Sequence, residues 1–209
     1  MTVRAWLKFF TTLLFIGAIT TVVTSFFVQP HAYEPYISPF NGWEIFGALI
    51  WFIGLGLVYS VISQMGFFAY LTLHQIGQGF FGKYWKHAQI LIISFVFFEL
   101  IYLRYIRAED PEPLINYILV AAMLLVYSIG VAFVKAKETH QRAFLPAIFF
   151  MFVVTTIEWL PVLRVDDPEW LMLMIVPLLA CNTYQLLKLH KIVGFKADKN
   201  DTREVQTKG

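Results

Sequence analysis

The sequence predicts an all-α polytopic membrane protein: a bundle of six transmembrane helices with both termini in the cytoplasm. Three observations predict it. Of the 209 residues 58% are hydrophobic and only 14% charged, against about 45–50% and about 25% in soluble domains. The apolar residues gather into six long runs. The loops between those runs alternate between lysine-rich and carboxylate-rich.

A helix rises about 1.5 Å per residue, so a hydrocarbon core of about 30 Å takes about 20 apolar residues per crossing. The first run extends from about Phe9 to Val28. Its basic flank resembles a signal sequence, but it exceeds the usual h-region of about 7–15 residues and lacks a small-x-small exit, so it is expected to persist as a helix. The second run, about Trp43 to Leu71, is long enough to tilt or protrude; the third is shorter, about Ala88 to Tyr105. The fourth covers about Leu114 to Val134, the fifth about Ala143 to Leu163 and the sixth about Trp170 to Leu187. None alternates apolar and polar residues as a barrel strand does, and hydrocarbon offers backbone groups no water partner, so each is read as helix. Residues 1–194 form one transmembrane domain on this reading. After Phe195 the chain reads KADKNDTREVQTKG without apolar periodicity, and residues 195–209 are expected to be a flexible polar cytoplasmic tail.

Basic residues are retained on the cytoplasmic side of short loops. With the N-terminus inside, the inner face holds Arg4, Lys8, Lys83, Lys86, Lys135, Lys137, Arg142, Lys188, Lys191 and the tail lysines and arginine, which is 13 of the 16 basic residues. Only Arg104, Arg107 and Arg164 fall outside, among Glu34, Glu109, Asp110, Glu112, Asp166, Asp167 and Glu169. The net charge of +2 therefore averages two faces of opposite sign. Basic residues beside membrane segments serve retention and contact with anionic headgroups, so nucleic acid is not a predicted partner, whereas the lipid bilayer of the plasma membrane is.

Two loops have distinctive composition. The outer stretch from Gln29 to Gly42 carries Pro30, Tyr33, Pro35, Tyr36, Pro39 and Phe40 and is expected to lie irregularly at the headgroup level, as a lid or a connector. The inner stretch from about Thr72 to His87 mixes Gly77, Gly79 and Gly82 with Phe80, Phe81, Tyr84, Trp85 and two lysines, which suits a cytoplasmic interface. Its GQGFFG run has no GKS or GKT ending and is not a phosphate loop.

Catalytic signatures are absent: no HExxH, no GxSxG and no Cys/His metal spacing. The histidines His31, His74, His87, His140 and His190 divide between the two faces, so no metal or other cofactor is expected. The single cysteine, Cys181, lies within the sixth run, can form no intrachain disulfide, and reads as a buried structural thiol.

The local leads are intramembrane charges. Glu99 lies roughly 7 Å below Arg104 along its helix and Glu158 roughly 9 Å below Arg164. These spacings turn roughly 140° and 240° about the axis, so neither pair shares a face. Pairing across helices, Glu99 with Arg164 or Glu158 with Arg104, would satisfy both carboxylates. All four residues are thus candidate intramembrane clamp or sensing positions. Pro161, three residues after Glu158, cannot donate to the carbonyl of Ile157, and Pro177 frees that of Leu173. Gly56, Ser60 and Gln64 share one face of the second run, and Thr20 and Thr24 one face of the first, as small-residue packing requires. Asn182 and Gln185, one turn apart, are read as interhelical hydrogen-bonding groups. FELIYLRYIRAEDPE (98–112) can be set beside IEWLPVLRVDDPE (157–169); a hairpin duplication and chance within a restricted membrane alphabet are the two readings, and the differing offsets favour chance.

SVISQMGFFAYLTLH, from Ser60 to His74, and the long run from VAFVKAKETHQ to LLKLHK, Val131 to Lys191, resemble the KinB-signalling pathway activation protein family of endospore-forming bacilli. SQMGFFAYL, FVKAK and TTIEWLPVLRV are the most specific parts, and the resemblance spans almost all of the membrane region. It implies a small integral membrane accessory, not an enzyme, that activates a membrane sensor histidine kinase feeding the sporulation phosphorelay. The family offers no catalytic residues to carry over. On that implication Lys135, Lys137 and Lys191, at the inner face, are candidate contacts for the kinase. The competing class is a small-molecule binding or transport subunit, which broken helices and buried carboxylates fit but which carboxylates near the outer rim do not.

Overall fold

The computed structural model describes residues 3–36, 40–107, 113–163, 165 and 167–207, with positions 3, 5, 107 and 190–207 as backbone only. All regular structure among them is helical, in the order α1 (Val3–Val28), α2 (Gly42–Phe81), α3 (Trp85–Arg107), α4 (Leu114–Glu138), α5 (Phe144–Ile148), a π-helical turn (Phe149–Val154), α6 (Thr155–Leu163) and α7 (Pro168–Thr207). Five stretches, where the sequence predicts six, are long and apolar enough to cross a membrane: Trp6–Val28, Gly42–Ile106, Leu114–Glu138, Gln141–Leu163 and Pro168–Leu189. The difference lies between the second and third predicted runs. Helix α2 does not stop near Leu71 but continues to Phe81, and only the turn Gly82–Tyr84 separates it from α3.

That turn shows why the predicted inner loop shrinks. Gly79 has open space around it, and the helix tolerates it. Gly77 is required for another reason: a Cβ there would meet the Trp85 ring, which folds back beneath it. The Trp85 indole donates to His74 Nδ1 at 3.1 Å and stacks on Phe81. Helix α2 ends only at Gly82, whose φ of 50° is cheap for glycine and costly for other residues.

The two longest early helices meet through their smallest residues. A Cβ on Gly17 would lie 2.5 Å from the Gly56 carbonyl oxygen, and one on Gly56 would lie 2.5 Å from that of Gly17, so α1 and α2 pack backbone to backbone. Gly56 and Ser60 of the predicted small face are buried, and Gln64 bonds the Ser60 hydroxyl at 3.2 Å. Thr20 and Thr24 do not bridge helices. Their hydroxyls bond carbonyls of α1 itself, Ile16 and Thr20.

The 29–42 connection is partly tucked in. Tyr33 is buried between Phe26 and Phe52 and hydrogen-bonds Ser25 at 2.7 Å. Burial raises its phenol above the ordinary tyrosine range, with the Ser25 bond opposing.

The core lies around the fifth and sixth predicted runs. Ala147 through Thr156 are buried without interruption, and Phe149, Phe150, Met151 and Phe152 form its centre. Helix α7 starts where the Asp167 carboxylate accepts the Glu169 backbone N–H at 2.9 Å, a side-chain cap. It continues as helix to Thr207, through most of the polar stretch predicted to be a flexible tail; residues 195–207 contain neither proline nor glycine to stop it. The outward faces of α1 to α4 present large apolar side chains such as Phe15, Trp51, Leu91 and Val126, an apolar surface of the kind that marks a membrane or protein contact.

Candidate functional site

Three helices bring polar groups together inside this apolar body. Ser63 comes from α2, Thr155 and Glu158 from α6, Asn182 and Gln185 from α7, and all five are buried. The Ser63 hydroxyl donates to Asn182 Oδ1 at 2.6 Å. The Asn182 amide nitrogen donates to Glu158 Oε2 at 2.6 Å and to Thr155 Oγ1 at 2.9 Å. The Gln185 amide nitrogen donates to the Ser63 hydroxyl, closing the group. Buried polar networks of this kind cost much if any member is left open, and they pin the helices that carry them into one register.

Local sequence explains how the residues meet. The π-helical turn Phe149–Val154 adds width just before Thr155, a device that re-aims side chains and recurs at functional sites. It brings Thr155, Thr156, Glu158 and Trp159 all to buried positions. Trp159 donates to the Leu171 carbonyl at 3.0 Å and locks α6 against α7. On α2 the facing residue is Gly66, where any Cβ would collide with the Glu158 carboxylate. Asn182 lies about 20 Å along α7 from Pro168, at ~1.5 Å per residue. Glu158, five residues before the end of α6, thus reaches a part of α7 well beyond that helix's first turns.

The other predicted positions fare differently. Glu99 is half-buried on α3 and does not join the cluster. Arg104 does not meet Glu158; its guanidinium lies over the Tyr117 ring of α4, 5.4 Å from the centroid. Arg164 lies outside the described residues, and the Glu99–Arg164 pairing with it. Lys135 is turned into the bundle, where its ammonium donates to the Leu186 carbonyl of α7 at 2.6 Å, so it joins α4 to α7 where an exposed contact was expected. Lys137 is exposed and borders a groove of about 610 Å³ with Phe133, Ala136, Gln141 and Phe144. Lys191 is described by its backbone alone. Cys181 is buried beside Asn182. Among the described residues no three His, Cys, Asp or Glu side chains gather as a metal site.

Sequence reasoning named Glu158, Asn182 and Gln185 but did not join them. It missed Ser63, Gly66 and Thr155. The one available signal was spacing: Ser63 and Gly66 sit three apart on α2, as do Thr155 and Glu158 on α6 and Asn182 and Gln185 on α7, so each helix offers two small or polar groups on one face.

Fold and site define a class: a helical bundle whose helices have membrane-crossing length and which seals a polar cluster inside. The particular family follows from comparison. Residues 17–192 match the family described as KinB-signalling pathway activation in sporulation, and the chain belongs to it. It is 39% identical over 194 residues to the KinB-signaling pathway activation protein of Bacillus subtilis (strain 168), covering 91% of this chain and 98% of that protein. No solved structure matches.

Proposed function

We propose that the chain is an integral membrane accessory protein that activates a membrane sensor histidine kinase feeding the sporulation phosphorelay, acting by binding and not by catalysis. The observation that carries this reading is the family match across residues 17–192, together with a relative of nearly the same extent named for activation of the KinB pathway. In the proposed topology the Gly42–Ile106 stretch crosses twice, reversing at Gly82, which gives six crossings with both termini in the cytoplasm. The distribution of lysine and arginine supports it.

Activation requires a partner that binds the active kinase more tightly than the inactive one; equal affinity for both shifts nothing. Exposed Lys137, the groove beside it and Lys191 are the proposed contacts at the inner face. Lys135 serves that face indirectly by holding α7 to α4. Glu158 and its partners hold the three-helix junction. Glu99 and Arg104 stand nearer the opposite face, as candidate sensing or clamp positions with Arg164.

A photo-crosslinking amino acid placed at Lys137 in native membranes tests the reading. A sensor kinase is the expected adduct, and loss of its autophosphorylation should follow deletion of the chain. Repeated capture of transport ATPase subunits, with kinase activity intact in the deletion strain, would sink it and favour a transport role.

A further inference from the structure

The polar cluster holds a carboxyl group its neighbours do not fully answer. The Asn182 amide donates to Thr155 and to Glu158 Oε2, the Ser63 hydroxyl to Asn182, and the Gln185 amide to Ser63. Two acceptor oxygens remain, Glu158 Oε1 and Gln185 Oε1, both sealed from solvent and without a hydrogen-bond partner. Glu158 is 6% exposed and Gln185 fully buried. Among the described residues no lysine, arginine or histidine forms an ion pair with Glu158. A bare carboxylate in such surroundings costs far more than one amide hydrogen bond returns, so buried carboxylates take up a proton or meet a cation.

The elements packed on α6 supply no counter-charge. The facing part of α2, Ser60 to Phe67, contains no acidic or basic residue, and the π-helical turn contains none. On α7 the nearby titratable group is the Cys181 thiol. On α3, Arg104 lies over the Tyr117 ring and makes no ion pair with Glu158 among the described residues, and Glu99 carries the same sign.

We propose that the Ser63–Thr155–Glu158–Asn182–Gln185 cluster is a binding site for a small monovalent cation, a proton or a sodium ion, taken up at the Glu158 carboxylate. The Thr155 hydroxyl shares the Asn182 amide nitrogen with that carboxylate, and the Ser63 hydroxyl and the open Gln185 carbonyl continue the same hydrogen-bonded chain, so oxygen donors of the hardness a small cation takes belong to one cluster. Occupancy matters to the fold because the carboxylate lies directly on Gly66 of α2. With the cation bound, α2 rests on a neutral group. Without it, a buried charge faces the α2 backbone, and the junction of α2 with α6 and α7 loosens. The site gives an ion a means of shifting the packing of three helices, and it is independent of what the inner face binds.

The test uses the purified full-length protein in lipid nanodiscs, with 13C-labelled glutamate and infrared spectroscopy, alongside Glu158→Gln and Glu99→Gln. If the cation is a proton, the wild type at neutral pH shows a carboxylic-acid C=O band that Glu158→Gln abolishes, Glu99→Gln keeps, and exchange of choline chloride for sodium chloride leaves in place. If it is sodium, that exchange raises the unfolding temperature of the wild type and not of Glu158→Gln. A wild type with neither the acid band nor the sodium response overturns the site. Should Glu158→Gln fail to fold, Ser63→Ala decides: it keeps the carboxyl and must shift the same band or weaken the sodium response, and an unmoved spectrum with an unmoved sodium response overturns the site. No kinase enters these measurements, so their failure leaves the signalling reading standing, and the reverse also holds.

Discussion

Glu99 and Glu158 occupy comparable places in the sequence, each a carboxylate followed by an arginine near a helix end and then an acidic-Pro-Glu run, yet the fold treats them in opposite ways. Glu158 is buried, bonded to Asn182 and pressed onto Gly66. Glu99 is half-buried on a helix whose neighbouring Phe95 and Phe98 face outward. The difference arises from their surroundings and not from the glutamates. Helix α6 follows a π-helical turn and meets polar residues of two neighbouring helices, Ser63 of α2 and Asn182 of α7, whereas α3 is a regular helix packed mainly on apolar side chains. Depth along a membrane segment is thus a poor guide to role, and the partner helices decide it.

The most severe way to break the contrast is to fill the space that Glu158 occupies. Gly66→Val places branched carbon where the carboxylate lies, and neither α2 backbone nor the buried α6 can retreat cheaply. A loss of about 3 kcal/mol is expected from overpacking, measured by unfolding in mixed micelles, with most of the protein lost from membranes. A valine tolerated at Gly66 with wild-type stability would mean that α2 and α6 are not in contact there.

Removing the hub has the next largest effect. Asn182→Leu keeps the volume but leaves Glu158 Oε2 and the Thr155 hydroxyl oxygen without the amide that donates to them, and the Ser63 hydroxyl, still accepting from Gln185, without its own acceptor. The expected loss is about 2–3 kcal/mol, since stranded buried groups pay their desolvation in full. Pairing it with Glu158→Leu should recover part of that loss, because two apolar groups are better matched than one stranded carboxylate. Strict additivity in this double variant would show that the two residues do not interact.

Lys135→Met tests a smaller joint. The ammonium reaches the Leu186 carbonyl from the buried side of α4, and methionine preserves the stem but not the donor. A loss of about 1.5 kcal/mol is expected, at the modest end for a hydrogen bond from a charged group. The accompanying increase in amide hydrogen exchange should be confined to the facing turns of α4 and α7. An effect on kinase capture without any change in stability would instead return Lys135 to the role of surface contact.

Much of this fold is legible in the sequence because long apolar runs leave few alternatives to helix. Helical class follows from composition and length alone, and Gly56 with Ser60 declares a packing face. What is hidden depends on contacts between runs. Nothing local marks Gly82, and not Gly77 or Gly79, as the end of α2; Trp85 decides it by needing the space at Gly77. The apolar run FFMFVV carries no sign of its π-helical turn, since all of its residues suit either register. Without that turn Thr155 and Glu158 cannot be placed opposite Ser63, and the cluster stays a set of separate polar residues. The placement of Lys135 is hidden for a related reason: a lysine near a helix end looks exposed until the neighbouring helix supplies a carbonyl for it.

The smallest expected effect is the sharpest check on the comparison. Glu99→Gln keeps shape and removes charge at a half-buried position outside the cluster. Such substitutions stay within about 0.5 kcal/mol, so the unfolding midpoint should hardly move. A functional effect would then have to come through recognition rather than through the fold. Kinase autophosphorylation in membranes carrying Glu99→Gln distinguishes the two: reduced activation at unchanged stability would make Glu99 a sensing position despite its exposure, whereas unchanged activation leaves Glu158 as the one carboxylate of the pair that this fold uses.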